Sequence, residues 1–123
     1  MPRRETLESF IAMVESGAHV RAIETFYAED GSMQENLGPP RVGRSLLMAH
    51  EQKVLDATAA VRSTCVRPVF VDGDHVVIRW IFEFEKKDGR RLRMEELAYQ
   101  TWRGEQLQHE QFFYDPAQLK PPG

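Results

Sequence analysis

The stretch Phe26–Ser45, FYAEDGSMQENLGPPRVGRS, decides the fold, because three kinds of backbone meet inside it. Val20, Ile23, Phe26 and Tyr27 repeat at three- and four-residue spacing, so a short apolar-faced helix leads into it and ends near Glu29-Asp30-Gly31. Ser32–Asn36 then reads as a brief polar strand. LGPPRVG is expected to be loop, since two prolines between glycines fit neither a ladder nor a helix interior. A further helix runs from Arg44 to Asp56, with Leu47 and Val54 one heptad apart on its apolar side. Helix, strand, stiff loop and helix follow one another within about thirty residues, too tightly for separate domains.

Outward from that stretch the pattern is simple. Upstream, Leu7, Phe10, Ile11 and Val14 give an amphipathic first helix closed by Gly17. Downstream, from Ala59, the period changes to two. Val61–Val71 is extended and broken or bulged at Pro68. VDGDH is a hairpin turn, because Asp-Gly supplies the positive φ of a tight turn. His75–Glu85 follows with Ile78, Trp80, Phe82 and Phe84 on one face. KKDGRR turns the chain into Leu92–Trp102, and RGEQ into Leu107–Tyr114, which Asp115-Pro116 ends. The order is α-α-β-α and then four antiparallel strands, an α+β domain with helices on one face of a sheet.

Composition sets the outer bounds. The chain has 123 residues, of which 41% are hydrophobic and 28% charged, the balance of a soluble globular domain. A net charge of −3 argues against a nucleic-acid partner or an anionic membrane surface. Cys65 is the only cysteine, so no internal disulfide forms and it is expected to pack as a small hydrophobe. The opening MPRRETLESF lacks the apolar core of a leader, no run approaches a membrane span, and the cytoplasm is the expected compartment. There is no glycine-rich phosphate loop or Cys-x-x-Cys, so no cofactor is expected. HEQ occurs at His50 and again at His109, but neither is followed by a second histidine one helical turn on, so no metal is expected. Lys86, Lys87, Arg90, Arg91 and Arg93 gather at a hairpin tip, where such charges keep a sheet edge soluble.

The element order, with FYAEDGSMQENLGPPRVGR and the closing FFYDPAQL, resembles the nuclear transport factor 2-like superfamily over essentially the whole chain. Within it, the SnoaL-like and ketosteroid-isomerase-like branches are the most similar. The resemblance implies one cone-shaped α+β barrel, residues 1–123, in which a strongly curved antiparallel sheet wraps three helices and leaves an apolar cavity open at one end. The short strand would edge the cavity mouth, and Pro39-Pro40 would swing the chain across to the third helix. A homodimer through the outer sheet face is also implied.

Carried over by position, the general-base carboxylate of the steroid isomerases falls on Glu35. Their two oxyanion donors fall on Phe10 and Ala98, which donate nothing, so ketosteroid isomerase activity itself is not expected. The essential acid of the polyketide-cyclase branch falls on Phe112. His50 falls where the isomerases place an aromatic that faces the cavity.

Strand alternation puts Trp80 and Phe82 together as cavity wall, and Glu96, Ala98, Gln100 and Trp102 on one face of the next strand. On the last strand two registers compete. A plain hairpin turns His109, Gln111 and Phe113 inward; a β-bulge, which the resemblance favours, turns Glu110, Phe112 and Tyr114 inward. The expected catalytic set is Glu35, His50, Glu110 and Tyr114. The expected ligand contacts are Phe10, Tyr27, Trp80, Phe82, Glu96, Ala98, Gln100 and Phe112. Two functions follow from such a pocket: proton transfer on a small apolar carbonyl compound by an isomerase, cyclase or dehydratase, or ligand binding and dimerisation without turnover.

Overall fold

A computed structural model describes residues 1–119. Two helices, α1 (Arg4–Glu15) and α2 (His19–Phe26), precede strand β1 (Tyr27–Glu35), the two-residue β2 (Arg41–Val42) and helix α3 (Arg44–Asp56). Four long strands follow: β3 (Thr58–Asp72), β4 (His75–Lys86), β5 (Arg91–Arg103) and β6 (Gln106–Phe113). A single 3₁₀ turn, Pro116–Leu119, closes the described chain. Among the described residues no helix is long and apolar enough to cross a membrane.

The six strands form one sheet in the order β2-β1-β6-β5-β4-β3. It is mixed rather than wholly antiparallel, because β1 lies parallel to β6 while every other neighbour is antiparallel. Such a pairing brings the first long strand against the last and leaves the helices to cover one face. Leu7, Phe10 and Ile11 of α1, Ile23 and Phe26 of α2 and Leu47 of α3 are buried against Val76, Ile78, Trp80 and Trp102 of the sheet. Most of the apolar stripes expected on the helices make this core; Val14 packs against it, and Val20 and Val54 are not part of it.

Three local expectations are corrected. The helical spacing of Val20, Ile23 and Phe26 does not carry Tyr27 with it: Tyr27 is extended (φ −78°, ψ 144°) and begins β1, five residues before the expected strand. Tyr27 pairs with Leu107 of β6, and a little further along the two strands approach as closely as only glycine allows. A Cβ on Gly31 would sit 2.9 Å from the Ala28 carbonyl oxygen and 3.3 Å from that of Leu107 on β6. Propensity is overruled there by tertiary pairing. Next, the stretch expected to be wholly loop contains β2, since Arg41 and Val42 pair with Met33 and Ser32. Finally, β1 stops at Glu35, because Asn36 adopts φ 50°. In that conformation its N–H donates to the Phe112 carbonyl oxygen at 2.7 Å, and its side-chain oxygen accepts from the Tyr114 N–H at 3.0 Å.

Candidate ligand cavity

The bulge expected on the last hairpin sets the cavity. Trp102 pairs with Leu107, but Thr101 pairs with His109, so Gln108 is passed over and the register moves by one. Gln100 then faces Glu110, and Ala98 faces Phe112. Glu110 and Phe112 consequently turn toward the helices, whereas His109 binds Ser32 at 2.6 Å and Phe113 lies exposed on the other side.

Between the helices and this face lies a cavity of about 280 Å³, lined largely by apolar side chains. That is close to the small end of ligand pockets. Ten of the twelve residues singled out from the sequence border it: Phe10, Tyr27, Glu35, His50, Trp80, Phe82, Glu96, Glu110, Phe112 and Tyr114. Ala98 and Gln100 do not. Both are fully buried behind the wall, where Gln100 supports a neighbour instead. Trp80, Phe82 and Phe84 form a stacked ladder with ring centroids 5.6 Å and then 6.3 Å apart. Phe10 meets Phe26 and Trp102 edge to face at 5.6 and 6.0 Å, which fixes the inner end.

Two carboxyls sit deep in this apolar wall. Glu110, 3% exposed, accepts a hydrogen bond from the Tyr27 hydroxyl on one oxygen and from Gln100 Nε2 at 2.7 Å on the other. Gln100 is aimed by Trp102, whose indole N–H donates to its amide oxygen at 2.9 Å. Burial pushes the Glu110 carboxyl up to about 7; the two hydrogen bonds pull the other way, and the Glu51 carboxylate adds to the rise. The same burial, with Glu110 alongside, raises the Tyr27 phenol well above its ordinary value, so it stays a donor. Glu96, 6% exposed, is different: no hydrogen bond among the described residues reaches its carboxyl. Burial first, then the charges of Glu110, Glu35 and Glu51, push it up to about 8.

The mouth is more polar. The Glu35 side chain is 45% exposed and lies 3.4 Å from Arg41 Nη2. Tyr114 stands beside it, its phenol raised by partial burial and then by the Glu35 charge. His50 borders the cavity from α3. Arg41 also borders it, and its Nε is buried without a hydrogen-bond partner among the described residues.

Sequence reasoning missed a second polar group on the helix side. His19 lies with Nδ1 3.2 Å from a Glu51 oxygen and Nε2 2.8 Å from the Ser63 hydroxyl, tying α2, α3 and β3 together beside the cavity. The signal was present. His19 stands four residues before Ile23, and Glu51 four after Leu47, so each is a polar residue on an apolar stripe. Among the described residues no group of three His, Cys, Asp or Glu side chains is placed to hold a metal ion.

Known proteins place this geometry. A ketosteroid-isomerase-like protein from Catenulispora acidiphila, solved with trimethylamine, is 20% identical, covers 94% of this chain and 88% of its own, and superposes with a TM-score of 0.79. A candidate SnoaL-like polyketide cyclase from Mesorhizobium loti is 23% identical over 89% and 97% of the two chains, with a TM-score of 0.74. TerC, co-crystallised with polyporic acid, is 16% identical over 94% and 92%, with a TM-score of 0.78. No curated protein matches the chain. These structures share the nuclear transport factor 2-like fold, and the SnoaL-like domain pattern itself matches residues 7–109. With that pattern spanning α1 to β6, the chain belongs to the SnoaL-like domain family.

Proposed function

We propose that the protein binds a small, largely apolar carbonyl compound in this cavity and moves a proton on it without a cofactor, in an isomerase, cyclase or dehydratase reaction. One observation carries the reading: a buried carboxyl, Glu110, faces an apolar cavity and is held in place from both sides. A carboxylate brought near neutrality by burial is matched to removing a proton next to a carbonyl. Glu110 is therefore the base in preference to Glu35, which lies half exposed against Arg41. Tyr114 and His50 are the donors toward the carbonyl oxygen, and the Trp80–Phe82–Phe84 ladder keeps water from the reacting carbon. The donor positions of the ketosteroid isomerases are Phe10 and Ala98, which argues for a different substrate. Solved neighbours that hold trimethylamine and polyporic acid support a small-molecule ligand.

The second reading is binding without turnover. It is favoured by the occupancy of both Glu110 oxygens, an arrangement that also suits a purely structural carboxyl. In either case the reading includes a homodimer through the outer sheet face and a reducing cytoplasm for the free Cys65.

Hydrogen exchange separates the two. Cyclohexanone, cyclohexenone and acetophenone are incubated with the protein in D2O and the α-protons followed by NMR. Turnover predicts exchange above the buffer rate for at least one ketone, falling about 10²-fold or more in Glu110→Gln. Ketone-induced shifts of cavity resonances with exchange at the buffer rate would leave the binding role alone.

A further inference from the structure

Glu96 is a buried acid that the proposed proton transfer does not use, and it faces the cavity with no protein partner among the described residues. Its position is specific. Glu96 pairs with Trp80 across the β4–β5 ladder, so the carboxyl stands next to the indole on the inner face, and Phe82 stacks on that indole at 5.6 Å. Aromatic faces beside a desolvated carboxylate are the combination that receives an alkylammonium group, through ring quadrupoles on one side and charge on the other.

Charge pairing around the cavity points the same way. Three of the basic groups that reach it have company: Arg41 lies on Glu35, His19 on Glu51, and the Lys86 ammonium over the Phe84 ring at 5.9 Å. His50 on α3 and the Tyr114 phenol are the remaining titratable neighbours. Among the described residues Glu96 and Glu110 are left as two acids with no cation in an ion pair with either. A buried carboxylate without a counter-charge is costly, and a cationic ligand removes that cost.

We propose that the cavity takes a small organic cation, an alkylammonium group seated between the Trp80–Phe82 faces and the Glu96 carboxylate. This deepens the reading that the cavity is the ligand site and does not depend on turnover. A carbonyl substrate would then carry an amine at the end away from its reacting carbon.

Choline and its uncharged carbon isostere 3,3-dimethylbutan-1-ol distinguish charge from shape. Titrated by NMR into the intact protein, choline is expected to bind at least about tenfold tighter than the alcohol near pH 8.5, where both carboxyls are largely ionised. Its affinity should fall about tenfold toward pH 6, as protons return to Glu96 and Glu110. Glu96→Gln should lose the preference for choline yet keep the alcohol, which also shows that the variant is folded. Equal binding of the two ligands, or choline affinity unchanged in Glu96→Gln, overturns the cation and leaves the cavity as a neutral-ligand site. Perturbation of no cavity resonance by either ligand, or by the ketones of the exchange assay, overturns the cation and the cavity reading together.

Discussion

The Glu96 carboxyl is where a single side chain has consequences for the whole domain. Its folded value of about 8 lies above the ordinary 4.5, so the native state binds a proton that the unfolded chain has released. The stability tied to that proton is complete below about pH 4.5 and is lost as pH rises through about 8. Glu110, raised to about 7, acts in the same sense. Replacing Glu96 by Gln keeps the shape and removes the ionisation. Urea unfolding should show little change near pH 5 and a gain of roughly 2–4 kcal/mol near pH 9. A loss of stability at high pH would mean that the carboxylate is stabilised by a partner rather than stranded. At this scale the sequence was informative about kind and silent about company. Alternation on β5 grouped Glu96 with Ala98, Gln100 and Trp102 and the family resemblance turned that face inward, but neither told that Gln100 would serve Glu110 and leave Glu96 without a hydrogen bond among the described residues. That depends on side-chain reach between strands, with Tyr27 and Glu110 83 positions apart in the chain.

Among the elements, β1 was the hardest to read and β4 the easiest. Ile78, Trp80, Phe82 and Phe84 declare a strand by alternation alone, and α3 begins and ends where its glycine and spacing indicate. β1 carries Glu29, Asp30 and Gly31, which have poor strand propensity, and is extended because β6 lies beside it. The bulge at Gln108 was likewise one of two open registers until the pairing itself chose. Gly31 holds this seam together. In Gly31→Ala the new methyl would meet backbone oxygens of Ala28 and Leu107, neither of which can rotate away. Denaturation is expected to show a loss of about 1–3 kcal/mol. If the variant proves as stable as the parent, the β1–β6 approach is looser than described.

For the molecule as a whole, the fold class was legible because helices and hairpins segregate along the chain, while the mixed character of the sheet was not, since parallel pairing joins segments that share no turn. The outer face matters most here. Leu97 and Phe113 are paired neighbours on it, 47% and 41% exposed, with Tyr99 on the same strand at 41%. Three large apolar side chains side by side on a solvent face support the proposed dimer through this surface. Light scattering after gel filtration should give twice the chain mass of 14.2 kDa, and Leu97→Asp should reduce it to one chain with the cavity still able to bind ligand. A parent protein that elutes at the mass of one chain would remove the dimer from the reading.

The parallel seam between β1 and β6 has a consequence in time. Tyr27 and Glu110 lie 83 positions apart, and their strands meet only after nearly the whole domain has been synthesised. The hairpins β3–β4 and β4–β5 are local and close early, whereas the seam carries the largest loop-closure entropy in the sheet. The ligand chamber is thus walled by the strand contact of greatest sequence separation in the sheet, and its wall is complete only where β6 lies against β1.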